Sequence, residues 1–450
     1  MPTKLFGTDG VRGPVGELIT PELALALARI ATARSAAERP QVLVARDTRE
    51  SGEMLEAAVS AGVTAAGGEL LRGGVLPTPA VPLLIGRYGF DLGVMLSASH
   101  NPYQDNGIKF FGPDGFKLSD AEEEAIEAEM RSDPPTRNGT GHAGGEATTA
   151  ATGHVRDLRG ADEDYLRALH TRFADLALAG VDVLLDCAHG ATYQVGPEIF
   201  RRLGARVTSV ADAPDGRNIN DGCGSTSVDK LASLVVAGGH DLGFAFDGDG
   251  DRVLAVDRKG AVVDGDELLA LAALHLRSQG RLAGDGVVVT VMTNFGFHRA
   301  MEDAGIQVVT TPVGDRHVLD ELRTRGWTLG GEQSGHLIEM GFVPTGDGIA
   351  GALLALEGLA GRDLADRDAM TKLPQRLVNI RVADRGALES SAEVSAAIER
   401  EAEALAGRGR VLVRPSGTEP LVRVMVEAPT EDEAQAVSDR LAGLVTAKLG

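Results

Sequence analysis

The chain has 450 residues, 43% of them hydrophobic and 24% charged, with 65 acidic against 44 basic side chains and a formal net charge of -21. That balance suits a globular protein with large aliphatic cores and excludes a broad basic footprint for nucleic acid, so an anionic ligand must be met by a local cluster of Arg and Lys. Cys187 and Cys223 make no disulfide framework, the first residues lack the apolar core of a signal peptide, and no apolar run is long enough to cross a bilayer, which predicts a soluble cytoplasmic protein with neither membrane nor nucleic acid as partner.

Residues 6–13 read Phe-Gly-Thr-Asp-Gly-Val-Arg-Gly. The glycines allow close backbone approach to a ligand and Arg12 can reach an anion; the same stretch also reads as a plain glycine turn. Thr20, Pro21 and Glu22 predict a capped helix start. A strand over 41–45, a polar loop at Arg46, Asp47, Thr48 and Arg49, a helix over 51–66 and a helix from Pro77 to about Tyr88 follow. Residues 91–96 form an apolar segment of strand length, 97–102 a polar loop whose turn signal is Asn101 before Pro102, and 107–111 a further apolar strand. Ser99 therefore sits at a strand-to-loop edge, where open α/β sheets place their chemistry. Ser119 and Glu122 read as a capping box that opens a helix to Met130.

Over 132–160 the composition shifts to Pro, Gly, Asn and Thr, which predicts a surface loop. A second unit opens near Asp162, with strands over 181–185, 206–210 and 241–246 and helices over 194–203 and from Asp229. A third opens near Asp266, with a helix to Arg277, strands over 287–290, 306–311 and 328–329, and helices over 297–304 and 314–325. A fourth differs: strands over 376–382, 410–414 and 421–427, a helix over 391–406 and a last helix capped at Thr430. The alternation of strands and helices is the α/β signature, and with the small α+β fourth unit it predicts four domains, at 1–160, 161–257, 258–371 and 372–450.

Asp247, Asp249 and Asp251, with Gly248 and Gly250 between them and Arg252 behind, follow an apolar strand. Carboxylates at alternate positions can converge on one hard cation, magnesium or calcium. An EF-hand would need glycine and glutamate where Arg252 and Arg258 stand, so that reading fails. The alternative, a solvated turn, leaves three adjacent acids repelling one another without compensation. A phosphate on Ser99 would add more negative charge, which Arg252 offsets in part; a magnesium ion bridging to a phosphoryl oxygen is how phosphoryl-transfer sites neutralise developing charge. Glu332, Gln333, Ser334, Gly335 and His336 place carboxylate, hydroxyl and imidazole in a glycine-flanked loop, which suits sugar hydroxyls and equally suits a polar loop between domains. Arg414, Pro415, Ser416, Gly417 and Thr418, with Arg423 beyond, offer hydroxyls, backbone N–H groups and two guanidinium forks for phosphate; a hairpin turn is the alternative.

In this order the five motifs resemble the α-D-phosphohexomutase superfamily, and they span nearly the whole chain. The 6–13 segment, the 218–225 stretch Asn-Ile-Asn-Asp-Gly-Cys-Gly-Ser and Gln333 make the chain most similar to the branch acting on glucosamine phosphates. The resemblance implies three similar α/β domains with mixed sheets plus a smaller C-terminal α+β domain around a central cleft. In chain order they would carry the phosphoserine, the metal, the sugar site and a phosphate site. It implies Ser99 as the phosphoserine, with one Mg2+ held by Asp247, Asp249, Asp251 and the phosphoserine oxygen of Ser99. Lys109 and Arg252 would serve proton movement and charge stabilisation, and His100 would act beside the serine or only brace it. Arg12, Glu332, Ser334, His336, Arg414, Ser416, Gly417, Thr418 and Arg423 would bind the sugar phosphate. The implied reaction interconverts glucosamine 6-phosphate and glucosamine 1-phosphate through glucosamine 1,6-bisphosphate, on the route to UDP-N-acetylglucosamine, in a monomer or homodimer.

Overall fold

Three sheets repeat one strand order. In the computed structural model, which describes residues 4–132, 152–382, 388, 391–415 and 421–450, the first sheet holds β1 (Val11–Pro14), β2 (Gln41–Arg46), β3 (Glu69–Val75), β4 (Leu92–Leu96), β5 (Asp105–Phe111) and β6 (Val155–Asp157), in the order β1-β5-β4-β2-β3-β6. The second holds β7 (Asp182–Asp186), β8 (Arg206–Val210), β9 (Leu242–Phe246), β10 (Val253–Asp257) and β11 (Val262–Val263), ordered β11-β10-β9-β7-β8. The third is β13-β12-β14-β15, from β12 (Gly286–Thr290), β13 (Gln307–Thr311), β14 (Leu329–Gly331) and β15 (Leu337–Glu339). Each contains the same quartet: β3-β2-β4-β5, β8-β7-β9-β10 and β13-β12-β14-β15. The central pairs β2 with β4, β7 with β9 and β12 with β14 are parallel, and the last strand returns antiparallel beside the third.

Parallel neighbours need a crossover, and helices supply it. In chain order the helices are α1 (Pro21–Ala33), α2 (Gly52–Ala65), α3 (Ala80–Tyr88) and α4 (Asp120–Ser132), then α5 (Ala161–Arg172), α6 (Val195–Arg202) and α7 (Val228–Gly238), then α8 (Gly265–Ser278), α9 (Phe295–Asp303), α10 (Asp315–Arg325) and α11 (Gly348–Leu359). The pairs α2 and α3, α6 and α7, α9 and α10 stand at equivalent places in the three repeats. β4 and β9 are buried along their whole length, as strands covered on both faces are. The consequence for function is topological: the short antiparallel return, β4 to β5, β9 to β10 and β14 to β15, carries Ser99, the Asp247–Arg252 run (247–252) and the 332–336 loop respectively.

The chain groups into two units, Met1–Val291 with Val309–Arg367, and Met292–Val308 with Asp368–Gly450. The second has the antiparallel sheet β16-β18-β17, from β16 (Gln375–Arg381), β17 (Arg410–Pro415) and β18 (Leu421–Glu427), with α12 (Ala392–Ala404) and α13 (Glu431–Leu449). Its core joins Val422, Val424 and Val426 of β18 to Val437, Leu441 and Val445 of α13. The buried Glu427 draws α9 into this unit: it accepts from Phe295 N (2.8 Å), Arg410 Nε (2.7 Å) and Gln375 Nε2 (2.7 Å).

The capping signals act as expected. Thr20 Oγ1 accepts from Leu23 N, Thr430 caps α13 through Glu433 N, and Ser119 and Glu122 bond each other's backbone N–H. Residues 6–13 depart from a plain turn, because Val11–Pro14 continues as β1 and pairs with β5. Gly10, at φ +78°, is what permits it: a Cβ there would lie 2.4 Å from the Ile108 carbonyl oxygen. The 132–160 stretch is not all loop. Residues 133–151 lie outside the described residues, but Val155–Asp157 adds an edge strand to β3. Three solvent-exposed residues are too short a run to show a period. No described helix is long and apolar enough to cross a membrane.

Asp347 caps α11 from a buried position, accepting from Ala350 N (2.9 Å) and, at both oxygens, from the Tyr165 hydroxyl (3.0 and 2.9 Å). Burial pushes its carboxyl up to about 7, against hydrogen bonds that pull it down. A raised folded value means that this group's contribution to stability is complete below the unfolded value near 3.8 and is lost as pH rises through about 7. Asp347→Asn keeps the size and an acceptor oxygen, so it should be spared that loss, worth up to about 4 kcal/mol at the alkaline end. Thermal melts between about pH 5 and about pH 8 should show wild type falling relative to the variant; parallel curves would remove Asp347 as the cause.

Candidate active site

Ser99 is fully buried at the tip of the β4–β5 return, and its backbone is left-handed at φ +51°. That conformation costs a non-glycine residue roughly 1–2 kcal/mol, and several charge-assisted hydrogen bonds of about 1.5–3 kcal/mol each outweigh it. The donor is Arg49, also fully buried, whose guanidinium gives to the carbonyls of Ser99 (2.9 Å), Asn101 (2.8 Å), Asp105 (3.0 Å) and Pro102 and to Asp47 Oδ2 (2.9 Å). Asn220, from the second repeat, donates to the Ser99 and Asn101 carbonyls (2.9 and 3.1 Å). Ser97 Oγ gives to Asp47 Oδ2 (2.6 Å) and accepts from Ser99 N (2.9 Å). The loop is thus held by its backbone, which leaves the Ser99 hydroxyl for chemistry. That hydroxyl donates to Asp247 Oδ2 at 2.5 Å and lies 3.4 Å from His100 Nδ1.

Asp247, Asp249 and Asp251 are buried, with ligating oxygens within 4.8 Å of one another. Gly248 makes the approach to Ser99 possible, since a Cβ there would sit 2.6 Å from the Ser99 carbonyl oxygen. Lys109 Nζ reaches Asp249 Oδ2 at 2.7 Å, Asp9 Oδ2 at 3.1 Å and Asp251 Oδ2 at 3.7 Å, and Thr78 Oγ1 donates to Asp249 Oδ2 (2.7 Å). Burial, then the charges of Asp251 and Asp249, holds Asp247 well above the usual carboxylate range. Burial also presses on Asp251, but Lys109, His336 and Arg252 prevail and keep it well below. Asp249 is likewise held low, Lys109 and Arg12 prevailing over burial and Asp251. Oδ1 of Asp249 and Oδ1 of Asp251 are buried without a hydrogen-bond partner among the described residues. Converging hard oxygens with orphaned lone pairs and surplus negative charge fit a divalent metal ion.

Arg252 donates its backbone N–H to Asp247 Oδ1 (3.2 Å) and carries Nη1 3.3 Å from His100 Nδ1. Burial, then Arg252 and Arg12, pushes His100 down to about 4, so its imidazole is neutral at neutral pH. Arg12 pairs with Asp9 and stands opposite Gly107 in the β1–β5 register. The 332–336 loop is pinned beside the aspartates, because Val253 N donates to the Gly335 carbonyl (3.0 Å). There Glu332 accepts from Gly314 N (3.0 Å), Ser334 is exposed, and Gln333 donates to Asp264 Oδ2 (3.3 Å). His336 is turned inward, 3.8 Å from Asp251 and from Asp315, and accepts from Gly346 N at Nε2 (3.1 Å). One unit therefore brings together Ser99, His100, Lys109, the three aspartates, Arg252 and the Glu332 loop. In the C-terminal unit Arg414 of β17 stands directly opposite Arg423 of β18. Burial and then Arg423 lower Arg414, a cross-strand repulsion that an anion between the two would relieve. Ser416, Gly417 and Thr418 lie outside the described residues.

Four family models cover most of the chain: Phosphoglucomutase/phosphomannomutase alpha/beta/alpha domain I over residues 3–137, domain II over 163–260, domain III over 264–377, and the C-terminal domain over 377–444. The chain is 50% identical to a phosphoglucosamine mutase of Mycolicibacterium paratuberculosis and 46% identical to one of Lysinibacillus sphaericus, in both cases over 99% of each chain. The chain belongs to the phosphoglucosamine mutase family.

Solved structures agree on the fold. A phosphoglucomutase/phosphomannomutase family protein from Burkholderia thailandensis matches with a TM-score of 0.80 at 21% identity, covering 99% of this chain and 97% of the other. The N-acetylphosphoglucosamine mutase of Aspergillus fumigatus, solved with GlcNAc-6P and magnesium, matches with a TM-score of 0.68 at 20% identity, covering 100% and 97%. Within this family frame, the sequence reading missed the groups that hold the site rather than face the ligand: Asp47, Arg49, Thr78, Asn220, Asp9, Lys117 and Asp315. The available signal for Arg49 was position, since the loop after β2 leaves the sheet beside the end of β4.

Proposed function

We propose that the chain performs the phosphoglucosamine mutase reaction, interconverting glucosamine 6-phosphate and glucosamine 1-phosphate through a phosphoserine at Ser99. The observation that carries this reading is the Ser99 hydroxyl, buried in a family mutase loop and 2.5 Å from the first of three converging aspartates. Asp247, Asp249 and Asp251, with an oxygen of phosphorylated Ser99, would hold Mg2+, which supplies Lewis-acid neutralisation of a phosphoryl group in transfer. The phosphoryl group leaves Ser99 Oγ as a sugar hydroxyl oxygen bonds to phosphorus, giving glucosamine 1,6-bisphosphate. In this reading Lys109 and Arg252 serve proton movement and charge stabilisation near the reacting oxygens. Neutral His100, touching both Ser99 and Arg252, orients them. Glu332 and the exposed Ser334 take sugar hydroxyls, with His336 behind them and Arg12 available to an anionic group. Return of the other phosphate to Ser99 completes the cycle, and the whole proceeds in the cytoplasm with no net cofactor use.

A coupled assay with glucosamine 6-phosphate, primed with the bisphosphate, tests this reading against mannose 6-phosphate and glucose 6-phosphate. Preference for glucosamine supports it; equal use of all three, or release of free phosphate at the same rate, rejects it.

A mutase also needs an anchor for the phosphate that is not reacting, and Arg414 and Arg423, with Ser416, Gly417 and Thr418, are the proposed set. Losing one charge-assisted contact costs about 1.5–3 kcal/mol, or roughly ten- to a hundredfold in affinity. Arg423→Ala should raise KM by that factor and make turnover depend on added bisphosphate, while Ser99 still accepts phosphate. Kinetics indistinguishable from wild type would place the anchor elsewhere.

A further inference from the structure

Lys117 has no part in the chemistry above, yet it is a nearly buried ammonium, 8% exposed at the side chain, paired with both Asp9 and Asp315. Burial, helped by the charge of Lys109, lowers its affinity for a proton, and Asp315 and then Asp251 oppose that. The pairs close a ring in which Lys117, Asp9, Lys109, Asp251 and Asp315 are joined through the His336 imidazole. Lys117 binds Asp9, whose other oxygen holds Lys109 Nζ (3.1 Å); Lys109 faces Asp251 (3.7 Å); Asp251 faces His336 Nδ1 (3.8 Å); His336 Nε2 faces Asp315 (3.8 Å); and Asp315 returns to Lys117. The first, second and third repeats each contribute to it.

Local structure explains why the two lysines share this ring. A bridge pairs Phe111 of β5 with Lys117, and Gly112 N donates to the Phe116 carbonyl (2.8 Å). Residues opposite one another in an antiparallel pair point to the same face, and so do residues two apart on one strand. Lys109 and Lys117 are therefore diagonal neighbours on one face, with Asp9 between two cations that would otherwise repel. Asp9 is also the one described carboxylate in contact with Lys109 that is not a proposed metal ligand.

We infer that Lys117 is a positioning residue for the mutase reaction: by sharing Asp9 and tying it to Asp315, it fixes the Lys109 amine between Asp9 and Asp249. Without Lys117, Asp9, left with Arg12 and Lys109, draws Lys109 away from the aspartates, and Asp315 stays buried without its ammonium partner. A displacement of about 1 Å at a reacting group can cost roughly a hundredfold in rate. The adjacent residue separates this effect from simple clamping of the repeats. The Arg316 guanidinium pairs with Asp120 and, at 2.7 Å, with Glu123, linking the first and third repeats without touching the ring; only its backbone N–H gives to Asp315 Oδ1 (2.8 Å), and Arg316→Ala keeps that bond.

The inference rests on the functional reading, and the test tells their failures apart. In the bisphosphate-primed assay with the full-length enzyme, Lys117→Met should lose roughly a hundredfold in kcat with KM within about threefold of wild type. Lys117→Arg, which keeps the charge, should recover to within about tenfold of wild type, and Arg316→Ala should keep kcat within about threefold. If Lys117→Met does not accumulate folded, Lys117→Met/Asp315→Asn removes the pair together and is held to the same expectation. A Lys117→Met kcat near wild type, an equal loss in Arg316→Ala, or no recovery in Lys117→Arg overturns the positioning role. A wild-type enzyme that does not turn over glucosamine 6-phosphate fails the functional reading itself.

Discussion

Ser99→Ala should abolish turnover, by roughly 10⁴–10⁶-fold in kcat, and leave the protein folded. The change deletes one oxygen. The loop does not depend on that oxygen, because Arg49 and Asn220 grip the Ser99 carbonyl and Ser97 accepts from its N–H. Alanine tolerates the left-handed backbone no worse than serine does. The lost hydrogen bond to Asp247 is worth about 1 kcal/mol, so melting should shift by only a few degrees. Intact mass and peptide mapping give the second readout. Wild type exchanged with bisphosphate should carry one phosphoryl group on Ser99, and the variant none. Phosphate found on another residue of an active enzyme would end the assignment, as would a variant that still turns over.

Much of this site was legible because each repeat puts its chemistry at the same turn. An apolar strand that stops abruptly at Ser97, Asp247 or Glu332 and resumes within a few residues announces an antiparallel return, and the polar residues between are exposed to inspection in the sequence. The supports were not legible, for a physical reason. Arg49 acts on the backbone of a loop some fifty positions away, Lys117 meets Asp315 across 198 positions, and Thr78 meets Asp249 across 171. Such partners are set by sheet order, which local patterning does not encode. α11 was missed for the opposite reason: Gly348–Leu359 is buried almost all round, so it shows no apolar stripe and no helical period. β6 is too short to show a period, and β1 hides in a glycine motif whose glycines serve the close pairing of the strand with β5. The domain repeats themselves were visible as alternation, while their common quartet order appeared only once the pairings were known.

Asp249→Asn should damage metal binding and catalysis together, and the geometry leaves asparagine no good orientation. Asp249 Oδ2 receives Lys109 Nζ and Thr78 Oγ1, both at 2.7 Å, while Oδ1 is buried and without a hydrogen-bond partner. If the amide nitrogen replaces Oδ2, it meets two donors; if it replaces Oδ1, it points N–H groups at the place where a cation would bind. Either way one anionic ligand is gone from a hard-oxygen set. Each orientation forfeits at least one charge-assisted interaction of about 1.5–3 kcal/mol, so affinity for Mn2+, used as a probe of the proposed metal site, should fall roughly ten- to a hundredfold. Catalysis should fall further, by about 10²–10³, because stabilisation of the moving phosphoryl group and the place of Lys109 are lost at once. Lys109 also loses a buried partner, so the variant should melt lower than wild type. Calorimetric Mn2+ titration reads the site without reference to turnover, and activity against Mg2+ concentration should show a curve shifted to higher metal with a lower plateau. A shifted curve that regains the wild-type plateau would mean that Asp249 only binds metal and does not place Lys109. Unchanged Mn2+ affinity would move the metal away from these three aspartates, and with it the reason Ser99 stands beside them.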